Sequence, residues 1–200
     1  MLCCPPVVYD RKEIIMHFLH KILVHIPSAI DVVEETPRAE ILNAVTCYAR
    51  NETECFYERA YDWREDDSAG RWSDKYPQQA YFASENLEWF IKELEDIQHA
   101  QKADIICALE HLKKATGTDL QQITFKLWNR DGKNYDPSIG VTEMSAYYLR
   151  VLAGLLYGEY RCDSCFYNTS ENTARLFQRD LDEIRQNPDE WALVMFDYHY

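Results

Sequence analysis

Apolar residues recur at spacings of three and four through several long segments of this chain, and that pattern constrains its fold more than any other feature. Between Asp10 and Ile26 the recurring positions are Ile14, Ile15, Phe18, Leu19, Ile22, Leu23 and Ile26, and Pro27 ends the segment because proline pushes the residue before it out of the helical region. Thr36 and Pro37 then suit a helix start, and Ile41, Leu42, Val45, Tyr48, Ala49 and Phe56 mark the buried stripe of a second helix to about Asp62. A third stripe runs through Ala83, Leu87, Phe90, Ile91, Leu94 and Ile97, and without a Gly or Pro before Gly117 it continues toward Leu112. Thr142 to Arg161 reads as a further helix with Met144, Tyr148, Val151, Leu152, Leu155 and Leu156 on its apolar face. Ser170 is placed to cap one carrying Leu176, Leu181 and Ile184, and Asn187-Pro188 to start a short last one with Trp191, Val194 and Phe196. With only 6 Gly and 7 Pro in 200 residues, the expected fold class is all-α.

The chain is long enough for a sizeable core, and 46% of its residues are apolar. Its net charge of −13 is spread over both halves, with 10 Lys+Arg against 19 Asp+Glu up to residue 100 and 11 against 15 beyond it. A nucleic-acid backbone is bound by a concentrated basic surface, and no stretch supplies one, so direct nucleic-acid binding is not expected. No apolar run approaches the roughly 20 residues that span a bilayer, and no basic n-region precedes an apolar h-region at the N-terminus. The expectation is a soluble intracellular protein with no membrane partner. Seven scattered cysteines, an odd number, suit reduced thiols.

Motifs that carry chemistry are sparse. Cys162 and Cys165 have zinc-ligand spacing, but a structural site needs about four ligands and no second pair stands near them. His17, His20 and His25 do not share one helix face, and pairs such as Asp180 and Glu183 read as solvated helix surface. Without a phosphate loop, nucleophile elbow or paired-carboxylate motif, the expectation is no enzyme activity, no catalytic residue, no cofactor and no metal.

Two strings, HFLHKILVHIP (His17 to Pro27) and YARNETECFYERAYDWRE (Tyr48 to Glu65), resemble the first two helices of the KIX domain of CREB-binding-protein-type transcriptional coactivators. LEWFIKELE (Leu87 to Glu95) resembles the third helix, so that the likeness covers about residues 10–98. YYLRVLAGLLYGEYR (Tyr147 to Arg161) resembles that helix as well, leaving residues 80–98 and 143–161 as alternatives for it. The resemblance implies a KIX-like three-helix domain over residues 1–102, able to fold alone, followed by a helical region over 103–200. It further implies a nuclear role in transcription regulation, with activation-domain helices as partners bound in two grooves. The first groove would use Ile14, Phe18, Lys21, Ala83 and Leu87; the second would use Ile26, Val45, Tyr48, Phe90 and Leu94. Ala80 and Glu88 stand where the family carries groove tyrosines, so the second groove is expected to bind better, with Tyr48 weighing more than Lys21. The competing expectation is a structural or assembly protein whose own C-terminal half covers these grooves.

Overall fold

A computed structural model of the chain describes residues 17–33, 35–61, 63–115, 120–121, 140–160 and 164–199. Its centre is a mixed β-sheet, and the expected all-α fold is corrected to α/β. Residues 17–25, expected inside the first helix, form strand β1 (His17–His25), followed by a single helical turn, α1 (Ile26–Ala29), with Pro27 in its first turn. Residues 191–199, expected to lie in a short last helix, form β5 (Trp191–His199) after one 3₁₀ turn at Pro188–Glu190. Three short strands complete the sheet: β2 (Trp63–Glu65), β3 (Ala80–Phe82) and β4 (Phe166–Asn168).

β1 and β5 pair antiparallel along their whole length, from His17 opposite His199 to His25 opposite Trp191. β4 joins the far side of β1 in parallel, while β2 and β3 share the outer edge of β5. The sheet therefore draws its two long strands from opposite ends of the chain. Helices cover both of its faces. On one, Ile22 and Val24 of β1 and Ala192, Val194, Phe196 and Tyr198 of β5 pack with Val45 and Ala49 of α2 (Arg38–Ala60). On the other, Leu23, Leu193 and Met195 meet Phe90, Ile91 and Leu94 of α3 (Leu87–Leu112), together with Leu181 and Ile184 of a shorter helix. Two further helices among the described residues are α4 (Gly140–Tyr157), which packs on α3, and that shorter one, α5 (Gln178–Gln186).

A sheet covered on both faces needs strands that are apolar at every position, and the alternation that marks a half-exposed strand disappears. β5 is buried at every residue from Trp191 to Tyr198, and all of these but Asp197 are apolar. Two polar groups of β1 that fall inside are paired. His20 stands between the hydroxyls of Tyr61, at 2.7 Å, and Tyr160. Lys21, on the opposite face, gives a hydrogen bond of 2.6 Å to Glu93 of α3, which also accepts from the Tyr76 hydroxyl at 2.9 Å. Burial alone would raise the Glu93 carboxyl, but the Lys21 hydrogen bond and charge overcome it and hold the group below the ordinary carboxylate range.

Candidate binding site

α3 is longer than the sheet is wide, and its second half packs against α4 instead. Asn86 caps its start by accepting from the Trp89 amide at 3.1 Å. At the far end of α4, Gly158 takes a left-handed conformation with φ of +69°. The Glu159 amide reaches back to the Gly154 carbonyl at 2.9 Å, which makes a Schellman ending with Tyr157 as the last helical residue. The Gly158 carbonyl then accepts from the Ala174 amide at 2.7 Å and the Thr173 hydroxyl at 3.1 Å. Gln101 of α3 ties down the same stretch, donating to the Ala174 carbonyl at 2.6 Å and accepting from the Leu176 amide at 3.3 Å. Three chain segments are thus locked around one point.

Between them lies a cavity of about 230 Å³, lined by Asp104 and Cys107 of α3, by Tyr147, Tyr148, Val151, Gly154 and Leu155 of α4, and by Glu159, Ser164 and Ala174. Pockets that hold a whole small ligand run to roughly 300–1,000 Å³, so this one has room for a long side chain and little more. Tyr148 is stacked by the His111 ring at a centroid distance of 4.0 Å, and Tyr147 meets Tyr148 edge-on at 5.2 Å. Tyr147 stands at the mouth with 41% of its surface exposed, and Tyr157 projects from the helix end at 89%. Tyr147, Arg150, Gly154 and Tyr157 follow one another at spacings of three and four, hence along one stripe of α4 beside the cavity.

The residues assigned to the two KIX-type grooves are not brought together in this way. Ile26 and Val45 are buried on the α2 side of the sheet, where Phe18 and Tyr48 pack against the same cluster. Ala83, Phe90 and Leu94 are buried on the α3 side, with Leu87 packed beside them, and the sheet separates the two sets. Lys21 is engaged with Glu93, and Ile14 lies outside the described residues. A shallow groove between α3 and α5 does reach the surface at Leu87, Glu88, Ile91, Lys92, Glu95 and Arg185, but the Arg185–Glu95 ion pair at 2.9 Å spans it.

The three histidines of β1 have separate settings. His17 donates from Nδ1 to the carboxylate of Asp197 at 3.0 Å, His20 lies in the core, and His25 contacts Ser28 at 3.2 Å and Glu190 at 3.4 Å. Asp197 also accepts from the Arg71 amide at 2.9 Å, and Gly70, with φ of +53°, sits so close that a side chain there would run into the carboxylate. This arrangement pins the 66–79 loop to the end of the sheet, with Trp63, Trp72 and His199 packed around His17. Asp180, expected on a solvated helix face, is instead buried and accepts from the Phe177 amide at 2.9 Å, and burial raises its carboxyl above the usual range. Cys162 lies outside the described residues. Among the described residues no three His, Cys, Asp or Glu side chains are grouped to hold a metal ion, and no helix is long and apolar enough to cross a membrane.

Comparison of the chain with protein-family models, curated proteins and solved structures finds no match.

Proposed function

We propose that this chain is a protein-binding module and that its docking surface is the outward stripe of α4 with the adjoining α3–α4 cavity. The cavity carries the reading, because it is too small for a whole cofactor and opens beside exposed aromatic side chains. An amphipathic helix lays anchors at i, i+3/i+4 and i+7 into a trough of this kind, one side chain entering the pocket and the others flanking it. Tyr147 and Tyr157 supply exposed aromatic surface along the stripe, with the exposed Arg150 between them. The KIX-type strings add transcription regulators as the class of partner. A second reading is favoured by the burial of Ile26, Val45, Phe90 and Leu94, and it makes the chain a structural or assembly protein whose own elements cover those anchors.

A fluorescence-anisotropy titration of amphipathic helical peptides against the full chain separates the two. Removing a central anchor costs on the order of 2 kcal/mol, about thirtyfold in affinity. Tyr147→Ala is expected to show such a loss. Leu42→Ala, at an equally exposed position on α2, is expected to show none. Equal losses for the two variants would overturn the placement, and no binding by any peptide would favour the assembly reading.

A further inference from the structure

We infer that the exposed segment from Ile30 to Glu35 docks as an added strand along the edge of a partner's β-sheet, an edge bordered by lysines and arginines. The run reads Ile-Asp-Val-Val-Glu-Glu, with β-branched apolar residues at positions 30, 32 and 33 and acids between and after them. β-Branched residues favour a strand, yet residues 30–33 lie in neither helix nor strand and join no part of this chain's own sheet. Both ends of this stretch are held. Ile30 has extended backbone, donates its amide to the Ile26 carbonyl at 3.0 Å and packs its side chain on the α2-side core. Val33 donates its amide to the Thr36 hydroxyl at 2.9 Å, and its carbonyl accepts from the Thr36 amide at 2.9 Å. Between these ties, the N–H and C=O groups of Asp31 and Val32 make no hydrogen bond among the described residues. Val32 and Val33 leave 50% and 66% of their surface in solvent. Open main-chain groups beside exposed apolar side chains are what strand addition uses, the backbone bonds giving affinity and the side chains entering pockets on the partner. Fixing the two ends beforehand lowers the ordering cost of docking.

Charge decides which sheet edge fits. Asp31, Glu35 and Glu40 are exposed and have no ion-pair partner among the described residues. Arg38, the Lys or Arg nearest in sequence, is engaged with Glu85 and lies over the Phe82 ring. A second copy of the chain would bring acids against acids, which is how exposed strands are kept from pairing with themselves. An edge with a basic border meets the same acids favourably, and the net charge of −13 steers it in. The segment shares no residue with the α3–α4 surface, and the inference does not depend on that surface.

The test titrates the full chain with a small ubiquitin-like modifier, a compact domain whose open sheet edge has a basic border, and follows affinity by calorimetry and amide hydrogen exchange by NMR. Saturable binding is expected, with exchange slowed at Asp31 and Val32, where the main-chain bonds form. Truncating both valines removes most of the apolar surface that docking buries, so Val32→Ala with Val33→Ala should weaken binding about tenfold or more. Ile106→Ala, at a comparably exposed position on α3, should leave it unchanged. All three positions are exposed, and circular dichroism confirms that each variant is folded. Asp31→Asn with Glu35→Gln should weaken binding severalfold and flatten its decline with added salt. No binding, binding that leaves Asp31 and Val32 unprotected, or equal losses for the valine and Ile106 variants would overturn the inference. Binding indifferent to salt and to the acid variants would overturn the basic border. Protection of Val32 that grows with chain concentration in the absence of the modifier would place a second copy there instead.

Discussion

Replacing Gly158 by alanine should unsettle the far end of α4 in a way that can be divided into parts. The residue has φ of +69°, where an alanine costs roughly 1–2 kcal/mol relative to an ordinary conformation. The added methyl group would also fall on the Thr173 hydroxyl and lie 3.1 Å from Thr173 Cβ. Thr173 would have to turn away, giving up its bond to the Gly158 carbonyl at 3.1 Å and the one it accepts from the Arg175 amide at 3.2 Å. With about 0.5–1 kcal/mol lost for each of these, the total comes to about 3 kcal/mol. For a chain of this size that lowers the melting temperature by roughly 6–12 °C. Urea denaturation followed by circular dichroism measures it. The decisive comparison is a double-mutant cycle with Thr173→Ala, which alone should cost about 1–2 kcal/mol for the same two bonds. If the clash is real, the double variant is no less stable than Gly158→Ala alone, since the bonds are lost once and the overlap is relieved. Full additivity of the two losses, or a silent Gly158→Ala, would refute the reasoning.

Two further outcomes follow from the sheet. A chain ending at Lys102 lacks β5, the strand that pairs with β1, β2 and β3, and should give no cooperative thermal transition by circular dichroism; a cooperative melt would support the expectation of an independent N-terminal domain. Glu93 is held below its ordinary range in the folded chain, so its contribution is present above the unfolded pKa and is lost as pH falls through the folded one. Glu93→Gln should therefore flatten the loss of stability below about pH 4 in urea titrations run at several pH values, and an unchanged acid limb would contradict the Lys21–Glu93–Tyr76 arrangement.

Much of the helical structure was legible in the sequence, and the reason is one-sided burial. α2 and α3 each present one apolar face to a neighbour, and the boundaries expected near Pro37 and Leu112 lie close to those observed. α4 was expected to continue to Arg161, but the left-handed Gly158 ends it at Tyr157. The two long strands were misread for the opposite reason. With both faces of the sheet covered, WALVMFDYH is apolar in all but Asp197 and His199, and HFLHKILVH places apolar residues at consecutive positions without a period of two, so that in such runs a spacing of three or four is met as readily as a spacing of two. Their nine-residue length and their β-branched and aromatic content were the available signals for a strand. Tyr148, Val151 and Leu155 were recognised as the apolar face of a helix, yet nothing local tied them to Asp104 and Cys107 of α3. That meeting depends on packing between two helices separated by a long connection, and the Gln101 and Gly158 contacts that lock it are long-range.

The central claim is that the α3–α4 surface, rather than a pair of KIX-type grooves, is where a partner docks, and the most direct measurement is an NMR titration of the isotopically labelled full chain with an amphipathic helical peptide. Saturable shifts should centre on Asp104, Tyr147, Val151, Leu155 and Glu159, leaving Val45, Tyr48 and Phe90 unmoved. Shifts centred instead on Ile26, Val45 and Tyr48, or on Lys21 and Leu87, would contradict the account.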